Sequence, residues 1–339
     1  MKIQFNAEIK EFLKRCEANV ENLAYNDFLN VDLKKNGYDR VLTALKEIDY
    51  PEFKGDKASW PSLYISTQDF LKSPYHQAIQ FKDINEKDVS IKEINLDAHQ
   101  LFNLLEIQKD PDRELKDWMV LRALDTPLNT LSLSIQDEVW MLDVPSESAT
   151  IDPIAQKASG KVITFGLGIG YFIYMASLNP EVISITVIEK HKRVIELFKK
   201  YILPQFKLNI ECEIIEGDAF DYFNEGFLSD FDTIFVDIHQ SSVDGLAIEE
   251  ALLENYNPPF EKCDFWIEGS NLEVMPWLIF LHLKAMKHQK KAKHPYYQTI
   301  LDKIDFVLSL DQRMLTQVDE CKDMMYDTKL HRKILSSHV

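Results

Sequence analysis

The sequence predicts an α/β protein built on a doubly wound, mostly parallel sheet. Three observations carry this. Short apolar, β-branched runs alternate with stretches of helical period; the first run ends in a glycine-rich loop that opens a helix; and acidic residues recur where the later runs end.

The first run, VITF at 162–165, feeds directly into Gly166-Leu167-Gly168-Ile169-Gly170, and four of the ten glycines lie between Gly160 and Gly170. Closely spaced glycines let backbone N–H groups approach a ligand without Cβ interference, and a helix start favours negative charge. The same glycines also suit a tight turn with no ligand, so the loop gains meaning only from the strands and acids C-terminal to it. YFIYMASLNP reads as a helix closed by Pro180, and VISITVIEK as a second buried strand ending at Glu189 and Lys190. A carboxylate there, about 20 residues past the glycines, can accept hydrogen bonds from both hydroxyls of a ribose. Its competing role is an ion pair with Lys190 or Lys192.

Val194, Ile195, Leu197, Phe198 and Ile202 then recur at helical spacing. IECEIIEGDAF is a third strand ending at Asp218-Ala219. Asp218 suits the exocyclic amine of an adenine, with Phe220 as apolar contact, and equally suits an N-cap. FDTIFVDIHQ is a fourth strand ending at Asp237, and CDFWIEG a fifth ending at Glu268. The acids gather above the sheet with no basic partner for a phosphate and no Gly-Lys-Ser/Thr. That chemistry favours an adenosine bearing a sulfonium or amine over a triphosphate.

In this order the residues resemble the class I S-adenosylmethionine-dependent methyltransferase superfamily, and within it the spermidine-synthase-like branch, over about residues 145–270. The resemblance implies a Rossmann-like domain with S-adenosylmethionine as cofactor and S-adenosylhomocysteine as product. It implies a cofactor site made by Phe165, Gly166, Leu167, Gly168, Gly170, Glu189, Lys190, Asp218, Ala219 and Asp237, with no metal. Two departures count against polyamine chemistry: Ile169 and Gln240 stand where aminopropyltransferases carry acids. Thr164 stands where methyltransferases often have one. Methyl transfer to a small-molecule or protein acceptor is therefore the leading expectation, aminopropyl transfer the second, and a non-catalytic binding module the third. Asp237 and His239 are the catalytic candidates. Asp237 suits an orienting role better than proton acceptance, and His239 is equally readable as a loop histidine bonded to backbone or water.

Composition bounds these readings. With 339 residues, 45% hydrophobic, the chain is long enough for one large domain or two modest ones. A formal net charge of −17 opposes non-specific binding to nucleic acid or anionic membrane. Four scattered cysteines lack Cys-x-x-Cys spacing, and the nine histidines form no metal pattern with them. Free thiols, no export signal and an apolar run at 277–283 too short for a membrane predict a cytoplasmic protein.

Four regions are expected: a mainly helical N-terminal region (1–125), a β-hairpin (126–150), the Rossmann-like domain (151–290) and a helical C-terminal extension (291–339). The first includes amphipathic helices with Ile9, Phe12, Leu13 and Val20 on one face and Val41, Leu42, Leu45 and Ile48 on another, offering a homodimer contact. Residues 51–74 read as an irregular connector and DAHQLFNLLEIQ as a further helix. LSLSI and VWMLDV form the hairpin, followed by a helix in PSESATIDPIAQKA; these two elements would overhang the cofactor and shape the acceptor pocket, with Trp140 and Glu147 as the residues to contact it and Trp140 equally readable as a packing anchor of the hairpin. FVLSL at 306–310 is the one candidate for a closing antiparallel strand. Asn257-Pro258-Pro259-Phe260 imitates an amine-methylating loop but lies one helix too late, and KAMKHQKKAKH at 284–294 reads as the solvated end of a helix.

Overall fold

The computed structural model describes all residues except 22–24, 54, 81–82, 87, 106–107, 111 and 240–241; side chains at 242–243 and 270–273 are likewise outside the description. Its centre is a five-stranded, wholly parallel sheet. In chain order the strands are Gly160–Phe165, Val182–Glu189, Glu211–Glu216, Thr233–Val236 and Cys263–Phe265, arranged in space 3-2-1-4-5. The fold is Rossmann-like, and the order reverses beside its first strand, which pairs with Val182–Glu189 on one side and Thr233–Val236 on the other. In such sheets a crevice opens at the carboxyl ends of the strands where the order reverses.

Alternation along the strands supplies two cores. Ile163, Phe165, Ile234 and Val236 face one core, shared with helices Ser242–Asn255, Glu268–Lys287 and Gln298–Leu310; Val162, Val187 and Phe235 face the other, against Pro145–Lys157 and Tyr171–Ser177. The N-terminal helix Ala7–Glu21 buries Ile9, Phe12, Leu13 and Cys16 in the first of these cores, while Val20 is exposed instead of joining that face. Val41, Leu42 and Leu45 are buried in a third core, with Ile48 packed partly buried at its edge.

The hairpin forms as Leu128–Ile135 and Glu138–Leu142, turning at Gln136 and Asp137 with φ of 51° and 67°, the left-handed pair of a two-residue hairpin loop. Leu128–Ile135 also pairs with Val89–Leu96, which pairs with Ile84–Glu86, so the hairpin belongs to a four-stranded sheet. The region before residue 125 is thus helical only in its first part.

Three sequence expectations fail here. The helix at 97–108 is replaced, among the described residues, by the strand Phe102–Asn103, paired with Leu121–Leu124, and His99 at φ 69° breaks helical geometry. FVLSL belongs to the helix Gln298–Leu310, whose buried Ile300, Leu301, Ile304, Val307 and Leu308 follow a helical period. The fifth strand stops at Phe265, and Glu268 opens a helix; its carboxylate pairs with buried Arg332, at 2.5 Å to Nε and 2.9 Å to Nη2. It therefore serves packing beneath the sheet's edge. Among the described residues no helix is long and apolar enough to cross a membrane.

Candidate active site

Where the strand order reverses, the backbone is drawn together closely. Gly166 has φ +100°, and a Cβ there would stand 2.1 Å from the Asp237 carbonyl oxygen, so only glycine lets the first loop leave its strand beside the fourth. Gly170 (φ +78°) turns the chain into Tyr171–Ser177 against the Phe198 ring, 2.4 Å from where a Cβ would be. Behind this junction lies a cavity of about 450 Å³, a size usual for a cofactor site.

Of the residues implied by the resemblance, Gly166, Leu167, Gly168, Glu189, Lys190, Asp218, Ala219 and Asp237 line that one cavity. His239, Trp140 and Glu147 line it too. Two expected members do not. Phe165 is fully buried beneath the sheet, 5.5 Å from the ring of Phe223, because its place in the strand alternation turns it from the crevice; Gly170 lies under the loop against Phe198. Ile169 is 1% exposed and also points into the core, and Gln240 lies outside the described residues.

Glu189 is 8% exposed, and neither lysine is its partner. Its Oε2 accepts the Leu167 N–H at 3.1 Å and its Oε1 the His191 N–H at 2.6 Å. The strand-end carboxylate is thus locked to the glycine loop on one side and the next turn on the other. Each oxygen keeps a further acceptor position. Asp218 fills both roles foreseen for it. It caps the segment Ala219–Tyr222, accepting from Phe220 N–H at 3.2 Å, and lines the cavity. Its second oxygen lies 2.8 Å from Lys190 Nζ, which holds its carboxyl below the ordinary range. The lysine beside the acids is thus engaged by a carboxylate.

Asp237 stands at the floor. It keeps some open surface toward the cavity, yet burial pushes its carboxyl up to about 7. His239 follows it; burial lowers its imidazole below the usual value, its Nε2 has no hydrogen-bond partner among the described residues, and its ring lies 5.1 Å from Trp266. Trp266 was not anticipated. It lines the cavity and is fixed by its Nε1–H donating to Thr150 Oγ1 at 2.9 Å. Met141 was also missed: its Sδ lies 2.6 Å from where a Gly168 Cβ would be, so the hairpin rests directly on the loop. Tyr171 and buried Thr164 complete this wall. The Asn257–Phe260 stretch is elsewhere, with Phe260 under the Arg332 guanidinium at 4.6 Å.

The fold and cavity together define a Rossmann-like domain with a cofactor-sized hollow at its switch point. No known family profile matches the chain, and no curated protein does. Among solved structures it is similar to spermidine synthase in complex with the transition-state analogue AdoDATO (14% identity, 44% of this chain and 58% of that one, TM-score 0.31). It is similar to spermidine synthase from Thermotoga maritima (13%, 57% and 62%, TM-score 0.32). It is also similar to PKMT2 from Rickettsia typhi in complex with AdoHcy (18%, 57% and 38%, TM-score 0.21). The match spans less than two thirds of the length of each of these chains. Strand order and crossovers define the fold without them.

Proposed function

We propose that the chain binds S-adenosylmethionine in this hollow and transfers its methyl group to a small-molecule or protein acceptor. The observation that supports this most is the meeting of three separate elements on one cavity: the loop at 166–168, Glu189 and Asp218. A glycine loop without Cβ atoms offers room for a close backbone approach; a locked carboxylate with free lone pairs suits two vicinal hydroxyls; a second carboxylate beside an apolar ring suits an amino-purine.

When bound, the cofactor supplies an already activated methyl group. The protein's part is then positioning and exclusion of water. Glu189 would hold the ribose, Asp218 the adenine amine, and Asp237 would orient whatever lies over the fourth strand. Trp266, Tyr171 and Ile151 wall the remaining space, and Trp140 and Glu147 border it from the hairpin side. His239, neutral at physiological pH because of its burial, would serve as an acceptor of a hydrogen bond or a proton.

Calorimetric titration with S-adenosylmethionine and with S-adenosylhomocysteine tests the reading. Micromolar binding of both is expected, and the absence of heat and of thermal shift with both contradicts it. Decarboxylated S-adenosylmethionine with putrescine is expected to give no product, since Ile169 is turned into the core.

A further inference from the structure

We propose that Tyr75 is a positioning residue for the glycine loop. It lies outside the parallel-sheet domain and is fully buried; its O–H donates to the Ile169 carbonyl at 2.8 Å, across 94 positions of sequence. A loop whose N–H groups face a ligand must turn carbonyls the other way, and a carbonyl turned into an apolar core needs a donor. The core beneath the loop is aromatic. Tyr75 lies 5.0 Å from the Tyr171 ring and 6.4 Å from Phe206, and Phe206 and Phe198 meet the underside of Gly170. Burial keeps the Tyr75 phenol neutral, and so a donor.

The segment that presents this hydroxyl is itself anchored at both ends. Thr67 donates its N–H to Asp125 at 3.0 Å and its hydroxyl to the Thr126 carbonyl at 2.7 Å. His76 sits between the Phe70 carbonyl, 3.1 Å from Nδ1, and Asp143, whose Oδ2 is 2.9 Å from Nε2. Asp143 directly follows the hairpin strand that carries Trp140 and Met141. One short stretch, 66–79, thus holds the loop's backbone and ties it to the hairpin above the cavity.

The role in cofactor binding rests on the function proposed above; the role in fixing the loop does not. The test compares the full chain with Tyr75→Phe, which keeps the ring and removes only the donor, and with Tyr174→Phe, a neighbour in the same aromatic cluster 5.9 Å away, as control. Hydrogen exchange of the amides at 166–171 is measured without cofactor, and S-adenosylmethionine affinity by calorimetry. Tyr75→Phe is expected to speed exchange at 166–171 about tenfold and to weaken affinity by a similar factor, with Tyr174→Phe unchanged in both. Unchanged exchange at 166–171 overturns the proposal, as does acceleration that merely tracks a global loss of stability or appears equally in the control. If the unaltered chain does not bind the cofactor, the proposed function fails while the exchange result still decides on Tyr75.

Discussion

Glu189→Gln separates a ligand-holding carboxylate from a merely structural one. The native group accepts two backbone N–H donors, from Leu167 at 3.1 Å and His191 at 2.6 Å, at 8% exposure. An amide presents one carbonyl oxygen and one NH2, so one of those N–H groups must face a donor. Losing a charged hydrogen bond at a buried site costs about 1.5–3 kcal/mol, which lowers the melting temperature by a few degrees in a chain of this size. If the same carboxylate also accepts ribose hydroxyls, affinity for S-adenosylhomocysteine falls by about 100-fold, equivalent to about 2.7 kcal/mol. Thermal melts and calorimetry on the two proteins read both numbers. Should the melting temperature fall while affinity changes less than about threefold, Glu189 is a strut for the loop and the ribose assignment is wrong.

Asp237, with its carboxyl pushed up to about 7, binds a proton in the folded chain that the unfolded chain has already released. Its contribution is therefore fully present below the ordinary aspartate range and is lost as pH rises toward 7; urea titrations of Asp237→Asn at pH 5 and 7.5 should show a pH slope flatter than that of the unaltered chain by about 1 kcal/mol or more. Binding of the cationic S-adenosylmethionine should strengthen across the same interval, and that of the uncharged-sulfur product should not, as calorimetry at each pH reads directly. Gly166→Ala places a methyl 2.1 Å from the Asp237 carbonyl at φ +100° and is expected to lose about 3 kcal/mol or more together with cofactor binding, whereas Gly269→Ala, with no heavy atom of the described residues within 4 Å of its Cβ and in the first turn of a helix, should gain up to about 0.5–1 kcal/mol; melting curves check both. Because Trp140 and Trp266 line the cavity, saturating cofactor should change tryptophan emission, and Trp266→Phe should reduce that change.

The site's framework was legible because its signals are short-ranged. The glycines, Glu189, Asp218 and Asp237 each stand where a strand stops, and strand ends share one edge of a parallel sheet. The hairpin was legible for a similar reason: two strand-like runs, LSLSI and VWMLDV, stand either side of Gln136-Asp137-Glu138, although Glu138 belongs to the second strand and leaves a two-residue turn. What partners these groups was not. Glu189 and Lys190 are adjacent, yet the carboxylate turns to backbone N–H groups while the lysine reaches Asp218, a choice made by chain direction in space. Phe165 was misread because strand alternation sends it beneath the sheet while its neighbour Gly166 enters the crevice. Glu268 was misread because the fifth strand ends at Phe265, two residues before its apolar run does, and the acid answers a buried arginine 64 positions away. The apolar spacing at 97–108 imitates a helix, but Leu101 is claimed by the third core and Asn103 by a strand partner at Leu121. Tyr75 and Trp266 carried no local signal at all, since their hydrogen-bond partners, Ile169 and Thr150, are 94 and 116 positions distant.

The decisive measurement is a crystal structure of the chain with S-adenosylhomocysteine. The ribose hydroxyls are expected on the Glu189 carboxylate, the adenine between Asp218 and the loop at 166–168, and the sulfur facing Asp237 and Trp266. Density for the nucleoside at any other surface, or a hollow closed by Met141 and Trp140 with the ligand excluded, would contradict the proposed cofactor site.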